Sequence, residues 1–505
     1  MARVLYLGLA LLALATAVSV HQGRLDLDVT AHGCWQYATS TWLDWKPSQP
    51  NASCARDQGV PQAADPLYVH AADSSCSCKT ANAESELGVG VCQLSGTVTD
   101  CCCDYGSVEK VNRDSLNPVL SQLVKLPFFR YFKVNLFCEC PFWPDDGMCM
   151  LRDCSVCECE EAEIPKLWRE QDKRACDDSA MAEAESVVNR TLDPHTREQL
   201  IAIPGWRGLN NPWMPEDDKD LDFSYINLLQ NPERYTGYKG EHAHRIWELI
   251  YSQSCFQDIN APDTCAEKRI FYRLISGVHA SISAHIANDF LLDEAAGLWG
   301  PSLEQFEARL GNLEVRDRVE NLYFAYLFVL RAVMKAGPLL ERADYNTGEP
   351  VLDAETVALM QQLAASPALK QACPVPFDEG RLWKSEDSAE LKKQLQGHFH
   401  NITQVMDCVG CEKCKLWGKL QMLGIATSLK VLFSSDDCTG LPTNEPRLTL
   451  ERNEVIALIN LLERLSQSIE VVRKMSLQLD DNLSKHPEGL GAITEVTHQG
   501  LQQYL

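Results

Sequence analysis

Positive charge is scarce in this chain. It carries 46 Lys and Arg against 70 Asp and Glu, a net charge of −24. Nucleic acid is therefore excluded as a partner, because phosphate binding wants clustered basic side chains. Nucleotide fingerprints are missing too. No G-x-G-x-x-G sits between a strand and a helix, and no GxxxxGK[ST] occurs, so neither a Rossmann nor a P-loop site is expected. After the first twenty residues no stretch reads as long and apolar enough to cross a membrane, which takes about 20 apolar residues. There is no internal repeat, no long low-complexity tract and no KDEL-type C-terminus. What is present is 505 residues, 45% hydrophobic and 23% charged, as in a globular chain with a real core.

Cysteine is abundant. There are 22, and their placement is uneven. Fourteen lie between Cys34 and Cys159, and only Cys255, Cys265 and Cys373 lie between Cys176 and Cys408. The leader "MARVLYLGLALLALATAVSV" has a basic start, a short apolar run and small residues at Ala15, Ala17 and Ser19, the pattern of a signal peptide over 1–19. In a secretory chain most cysteines are expected to be oxidised. Four N-x-S/T sequons, at Asn51, Asn189, Asn401 and Asn482, fit secretory passage and glycosylation.

The front third reads as loop-rich and stapled. Apolar residues then recur at three- and four-residue spacing over 266–292, 319–336, 388–406, 416–433 and 449–465, which predicts amphipathic helices. Thr449 offers an N-cap for the last of these, with Arg452 rather than Glu at the third position. Residues 160–222 are acidic and poorly patterned and read as a mobile surface connection. The expected fold class is mainly α: a single helical domain, with a disulfide-rich, loop-dominated N-terminal region.

Three cysteine groups can carry chemistry. In "MDCVGCEKCKLWGKLQ" (406–421), Cys408, Cys411 and Cys414 are three apart and run into a helical pattern. A C-x-x-C pair at a helix start has its thiolate stabilised by the dipole and free N–H groups, with Lys413 and Lys415 adding charge. A metal site would need a fourth ligand, but Gly418 stands where an iron–sulfur run would continue, and no second pair or His pair completes zinc. Spacing leaves redox pair, structural disulfide and metal all open, in that order. In "CPFWPDDGMCMLRDCSVCEC", Cys149 and Cys154 form a C-x4-C pair beside Asp145, Asp146 and Gly147, either a mobile electron carrier or part of a structural knot. The group Cys92, Cys101, Cys102 and Cys103 reads as stapling.

Together with "NPERYTGYKG" (231–240) and "CAEKRIFYRLISGVHASI" (265–282), these segments resemble the endoplasmic reticulum oxidoreductins. These are flavin-dependent thiol oxidases that reoxidise protein disulfide isomerase. The resemblance covers roughly 90–500. It implies FAD held in a helix bundle, with Cys411 and Cys414 as the flavin-adjacent disulfide. Cys414 would lie nearest the ring, and Cys411 would be the sulfur attacked by incoming thiols. It further implies Cys149 and Cys154 as a shuttle pair, a structural bond between Cys140 and Cys408, another between Cys255 and Cys265, and structural roles for Cys92 and Cys101. Arg234, Thr236, Trp247, Ser276, His279 and Arg318 fall on cofactor positions, with Arg309 a weaker match. Arginine forks suit a pyrophosphate, and aromatic or imidazole faces suit a flat ring. In mammalian members shuttle cysteines pair with others when the enzyme is off; Cys159 and Cys176 are the candidate regulatory partners, and Cys157 is an additional cysteine in that loop.

The implied division is 1–19 signal peptide, 20–88 a divergent Cys-containing segment, 89–480 the catalytic domain with a mobile shuttle loop over about 141–222, and 481–505 a tail. The implied partners are protein disulfide isomerase and molecular oxygen, in the endoplasmic reticulum lumen, with possible peripheral association at the membrane. No metal is expected. The N-terminal segment departs from the family: Gly90 stands where a cysteine is expected two residues before Cys92. Two other readings compete. One is the second family of small helical flavin thiol oxidases, but its WCGHC and His-rich flavin motifs are not found. The other is a non-catalytic, disulfide-rich luminal scaffold that binds disulfide isomerases.

Overall fold

The computed structural model describes residues 98, 103–143, 154–175, 211–215, 223–233, 241–254, 266–293, 295–311, 316–367, 382–383, 387–433 and 448–485. Most of these are helical. In chain order the helices are α1 (Tyr105–Val111), α2 (Asn117–Leu123), α3 (Pro127–Arg130), α4 (Lys166–Ala175), α5 (Glu241–Ser254) and α6 (Ala266–Asn288), then α7 (Leu303–Phe306), α8 (Arg316–Leu340), α9 (Pro350–Ala365), α10 (Ser388–Val405), α11 (Glu412–Leu432) and α12 (Arg452–Lys485). Strands β1 (Tyr131–Val134) and β2 (Ser224–Asn227) pair antiparallel, with Tyr131 opposite Asn227. A second hairpin joins β3 (Phe290–Asp293) and β4 (Leu298–Gly300).

The core is a bundle of α6, α8, α11 and α12, with α8 and α12 each against the other three. Helix α8 is apolar all round, and Leu322 to Leu330 are buried without a break, which marks a helix enclosed by neighbours. This corrects one expectation. Arg318–Leu340 is in fact long and apolar enough to span a membrane, but most of it is buried inside the protein as a core helix.

Close packing in the bundle depends on two glycines. A Cβ on Gly277 of α6 would lie 2.4 Å from the Asn321 carbonyl oxygen of α8. On Gly424 of α11 it would lie 2.7 Å from Leu461 Cβ of α12. Any side chain there would force the helices apart.

Three predicted boundaries change. The 266–292 helix stops at Asn288, and the chain turns into the β3–β4 hairpin. There Asp293 Oδ1 accepts from Ala296 N–H (3.0 Å), and Gly297 takes a left-handed φ of 62°. The last helix begins at Arg452, so Thr449 is not its cap. Glu451 takes that place: its carbonyl accepts from Val455 N–H (3.0 Å), and its own N–H donates to Glu454 (2.9 Å), one half of a capping box. That helix then runs on to Lys485, because Ile469, Val472, Met475 and Leu479 continue the apolar stripe.

The 160–222 connection is anchored where it is described. Trp168 of α4 is 1% exposed, edge-on to Phe128 at 5.7 Å, and donates from Nε1 to Asn346 O (3.1 Å). The indole and Asp172, which accepts from Lys133 Nζ (3.0 Å) and the Tyr225 hydroxyl (2.8 Å), hold this helix, and such isolated anchors leave no periodicity to read. The Cys-rich stretch before residue 98 lies outside the described residues. From Tyr105 onward the chain is helical, with Asp104 capping α1 by accepting from Ser107 N–H (2.8 Å).

Candidate active site

Helix α11 begins on its own disulfide. Cys411 is the N-cap residue, bonded to Cys414 one turn in, with Cα atoms 5.1 Å apart. Cys411 Sγ also accepts from Cys414 N–H (3.2 Å). The first turn of a helix has unsatisfied N–H groups and the positive end of the dipole. A thiolate released on Cys411 is stabilised by both, which makes it a good leaving group in thiol–disulfide exchange.

The helix start is tethered on two sides. Cys408, in a short 3₁₀ turn (Met406–Cys408), is bonded to Cys140 with Cα atoms 4.4 Å apart, across 268 residues of chain. Lys415 Nζ donates to Leu136 O (3.2 Å), and Lys419 Nζ to Asn135 O (2.7 Å). Lys419 also pairs with Asp407 at 2.5 Å. The segment leaving β1 is thus bound along α11. Lys413 and Lys415, expected as charge beside the cysteines, are both buried, and Lys415 binds a backbone carbonyl. On the other side Trp417 Nε1 donates to Asn231 O (2.8 Å), and the Arg464 guanidinium lies over the Trp417 ring at 4.9 Å. Arg464 pairs with Glu233, two residues beyond Asn231.

Both cysteines are buried: Cys411 is 0% exposed and Cys414 8%. If Cys411 is the sulfur that meets incoming thiols, as the resemblance implies, something must move from this conformation before that attack. The adjacent piece is the segment Cys154–Cys159. Val156 N–H donates to Glu412 Oε2 (2.8 Å), beside Cys411. Cys157 exchanges two hydrogen bonds with the side chain of Asn231, and Glu158 bridges to Ile226 at the edge of β2. Cys154 is buried and disulfide-bonded, while Cys157 is an exposed free thiol. Cys159, also free, is partly buried; burial first, then the Glu163 carboxylate, push its thiol up to about 11.

A second cluster lies where α5, α6 and α8 meet. His279 of α6 stacks on Trp247 of α5, centroids 3.7 Å apart and planes 17° from parallel. Its Nδ1 shares a proton with the Tyr251 hydroxyl at 2.7 Å. Ser276, one turn earlier, accepts from Asn321 Nδ2 of α8 (3.1 Å). Burial, then the nearby Arg318 and Arg309 guanidiniums, hold His279 well below the usual imidazole range, so the ring is neutral. Burial pushes the Tyr251 hydroxyl up to about 12. Arg318 is buried, and burial lowers Arg309 to about 10; Arg309 Nε donates to the neutral amide of Gln305 (3.3 Å).

Five of the seven predicted cofactor residues therefore come together: Trp247, Ser276, His279, Arg309 and Arg318. Arg234 and Thr236 lie outside the described residues. The donor set fits FAD. Two guanidiniums in poorly solvated positions suit an anionic pyrophosphate, and the Trp247–His279 stack suits a planar ring system. Tyr251 and Asn321 were missed. Tyr251 had a readable signal, since it follows Trp247 by four residues on one helix face.

Cys149, Cys255, Cys265, Cys92, Cys101, Cys176, Asn51 and Asn189 also lie outside the described residues. Asn401 sits on α10, where its amide nitrogen, the atom that would carry a glycan, donates to Gln253 Oε1 (2.9 Å). Asn482 falls within the span of α12.

The family model Endoplasmic Reticulum Oxidoreductin 1 matches residues 115–472. Endoplasmic reticulum oxidoreductin-2 of Arabidopsis thaliana is 51% identical over 405 residues, 79% of this chain and 81% of that protein. ERO1-like protein alpha of Mus musculus is 37% identical over 417 residues, 75% of this chain and 89% of that protein. A solved structure of S. cerevisiae Ero1p superposes with a TM-score of 0.52 at 29% identity, covering 75% of this chain and 99% of that one. Another Ero1p structure, with the same TM-score, is described as that of the source of disulfide bonds for oxidative protein folding in the cell.

Proposed function

Because this chain belongs to the endoplasmic reticulum oxidoreductin family, oxidoreductases of that compartment acting on disulfides, we propose that it is a FAD-dependent thiol oxidase of the lumen. Its electron donor is protein disulfide isomerase, and its final acceptor is molecular oxygen. The observation that carries the reading is the Cys411–Cys414 disulfide at the start of a core helix, in the bundle whose helix α6 carries Ser276 and His279, with Trp247 of α5 stacked on His279.

The steps follow thiol–disulfide chemistry. A dithiol of the isomerase reduces Cys149–Cys154 through a mixed disulfide and leaves oxidised. The shuttle dithiol then attacks Cys411, and the Cys411–Cys414 bond breaks with Cys414 leaving as thiolate. The second shuttle thiol closes the shuttle disulfide and expels Cys411, whose thiolate the α11 N-terminus stabilises. The net transfer is two electrons and two protons onto Cys411 and Cys414. FAD, when bound, supplies the acceptor that reoxidises this pair and passes the electrons to oxygen, giving hydrogen peroxide. Arg318, Arg309 and Ser276 would hold its phosphates. The Trp247–His279 stack would hold a ring, and a neutral His279 adds no competing charge there.

The leader over 1–19 would deliver the chain to the lumen and be removed. Asn51, Asn189, Asn401 and Asn482 are the candidate glycan sites. Attachment to the luminal membrane would be peripheral. Purification provides the test. The folded protein should be yellow, with a band near ~450 nm, and should consume oxygen when given a dithiol. A colourless, fully folded and inert protein would sink this reading in favour of a non-catalytic scaffold.

A further inference from the structure

The polar contacts between the Cys154–Cys159 segment and α11 come from two residues that no step above uses. Asn231 is wholly buried. Its Oδ1 accepts from Cys157 N–H (2.7 Å), and its Nδ2 donates to Cys157 O (2.9 Å). One side-chain amide thus imitates a strand neighbour, giving one bond to a backbone residue and taking one from it. The same Nδ2 donates to Asn227 O (3.0 Å) at the end of β2, and the Asn231 carbonyl accepts from Trp417 Nε1 (2.8 Å). One residue therefore joins the shuttle segment, the sheet and the active-site helix. Its polar groups are all engaged, and in a buried position breaking them is costly.

Glu412 is the opposite kind of contact. It is exposed, the first residue of α11, and it holds Val156 N–H by one charge-assisted hydrogen bond of 2.8 Å. An exposed single bond opens easily.

We infer that Asn231 is a positioning residue, the pivot of the arm that carries Cys154, and that Glu412 is the latch that closes this arm over Cys411. The inference rests on the shuttle reading proposed above. With the latch made, the arm lies beside Cys411 and that sulfur has no exposed surface. With it released, the arm swings about Cys157, and Cys154 can move between an outside dithiol and Cys411. Asn231 keeps the swing short, since Cys154 is only three residues from the pivot.

The test uses the purified, oxidised full-length protein and two readouts. The first is backbone hydrogen exchange at Val156 and Cys157. Glu412→Ala should speed exchange at Val156 about tenfold, the scale of one hydrogen bond to a charged group, and leave Cys157 protected. Asn231→Ala should release both. Glu412→Gln keeps an acceptor and should restore protection. The second readout is the ratio of oxygen consumption with dithiothreitol to that with a reduced disulfide isomerase. Glu412→Ala should raise this ratio several-fold by exposing Cys411 to the small thiol, and Gln should return it, which a merely structural role would not do. If Asn231→Ala fails to fold, Asn231→Asp keeps the acceptor for Cys157 N–H but loses both donated bonds, and should give intermediate exchange. Wild-type exchange in all variants, or an unchanged ratio in Glu412→Ala, would overturn the inference. Failure of the wild type to oxidise any dithiol would instead sink the functional reading, leaving the exchange experiment to decide the latch.

Discussion

Two cysteine-bearing regions meet at the start of α11, and they are built in opposite ways. The inner one, Cys408 to Cys414, is buried, bound to Cys140 by a long-range disulfide, tied along the chain after β1 by Lys415 and Lys419, and continued as a core helix. The outer one, Cys154 to Cys159, has little regular structure, exposes Cys157, and is held by hydrogen bonds with Asn231, Glu412 and the β2 residues Tyr225 and Ser224. A disulfide that must meet a fixed cofactor gains from rigidity. One that must visit two partners gains from bonds weak enough to break. The physical difference between the regions is the kind of link that ties each to its surroundings at the start of α11: a long-range disulfide inside, and hydrogen bonds outside, one of which, from Val156 to exposed Glu412, is single and solvated.

Removing the inner pair should have the largest effect. Cys411→Ala or Cys414→Ala should abolish oxygen consumption with every dithiol, large or small, in an oxygen-electrode assay. Residual turnover in either variant would mean that the inner pair is not the obligatory one. Removing the outer pair should be selective. Cys149→Ala or Cys154→Ala should stop oxidation of a disulfide isomerase while dithiothreitol is still consumed. An equal loss with both would erase the distinction between the two regions.

Rigidity itself comes next. The double variant Cys140→Ser, Cys408→Ser should lose about 2–5 kcal/mol of stability, the usual range for a native disulfide, read from the urea midpoint. The gentlest probe is alkylation at pH 8. Exposed Cys157 should react first, and Cys159 at least about tenfold more slowly, because a thiol raised to about 11 is scarcely ionised there. The rate at Cys159 should climb as pH approaches 11, since only the thiolate reacts. A rate that levelled off near pH 9 would show that Cys159 is not shielded as the structure has it.

Much of the inner region was legible from residues. Three cysteines at three-residue spacing leading into apolar periodicity predict a helix with sulfur at its start, and the helices around 266, 319, 388 and 416 lie close to their expected spans. The five cofactor residues that meet were legible only as a resemblance, because Trp247, Ser276, His279, Arg309 and Arg318 come from separate parts of the chain. The missed features share one cause. Trp168 and Asn231 each act as single buried residues, and pattern reading needs several. The 160–222 stretch read as a free connection because its acidic composition hides two anchoring indoles, Trp168 and Trp213. Thr449 is a better intrinsic cap than Glu451, but Glu454 reaches back to the Glu451 N–H and ends the contest.

The sequence by itself determined the helical class and the placing of three cysteines at the start of a helix. These rest on local spacing, which tertiary contacts do not alter; which cysteines do chemistry was left open by spacing and came only from the resemblance. Only the tertiary structure decided which residues share a site, that Cys411 has no exposed surface, and that Asn231 and Glu412 hold the outer arm. Such facts depend on contacts between distant positions, as between Cys140 and Cys408, 268 residues apart, and no local pattern encodes a contact of that separation.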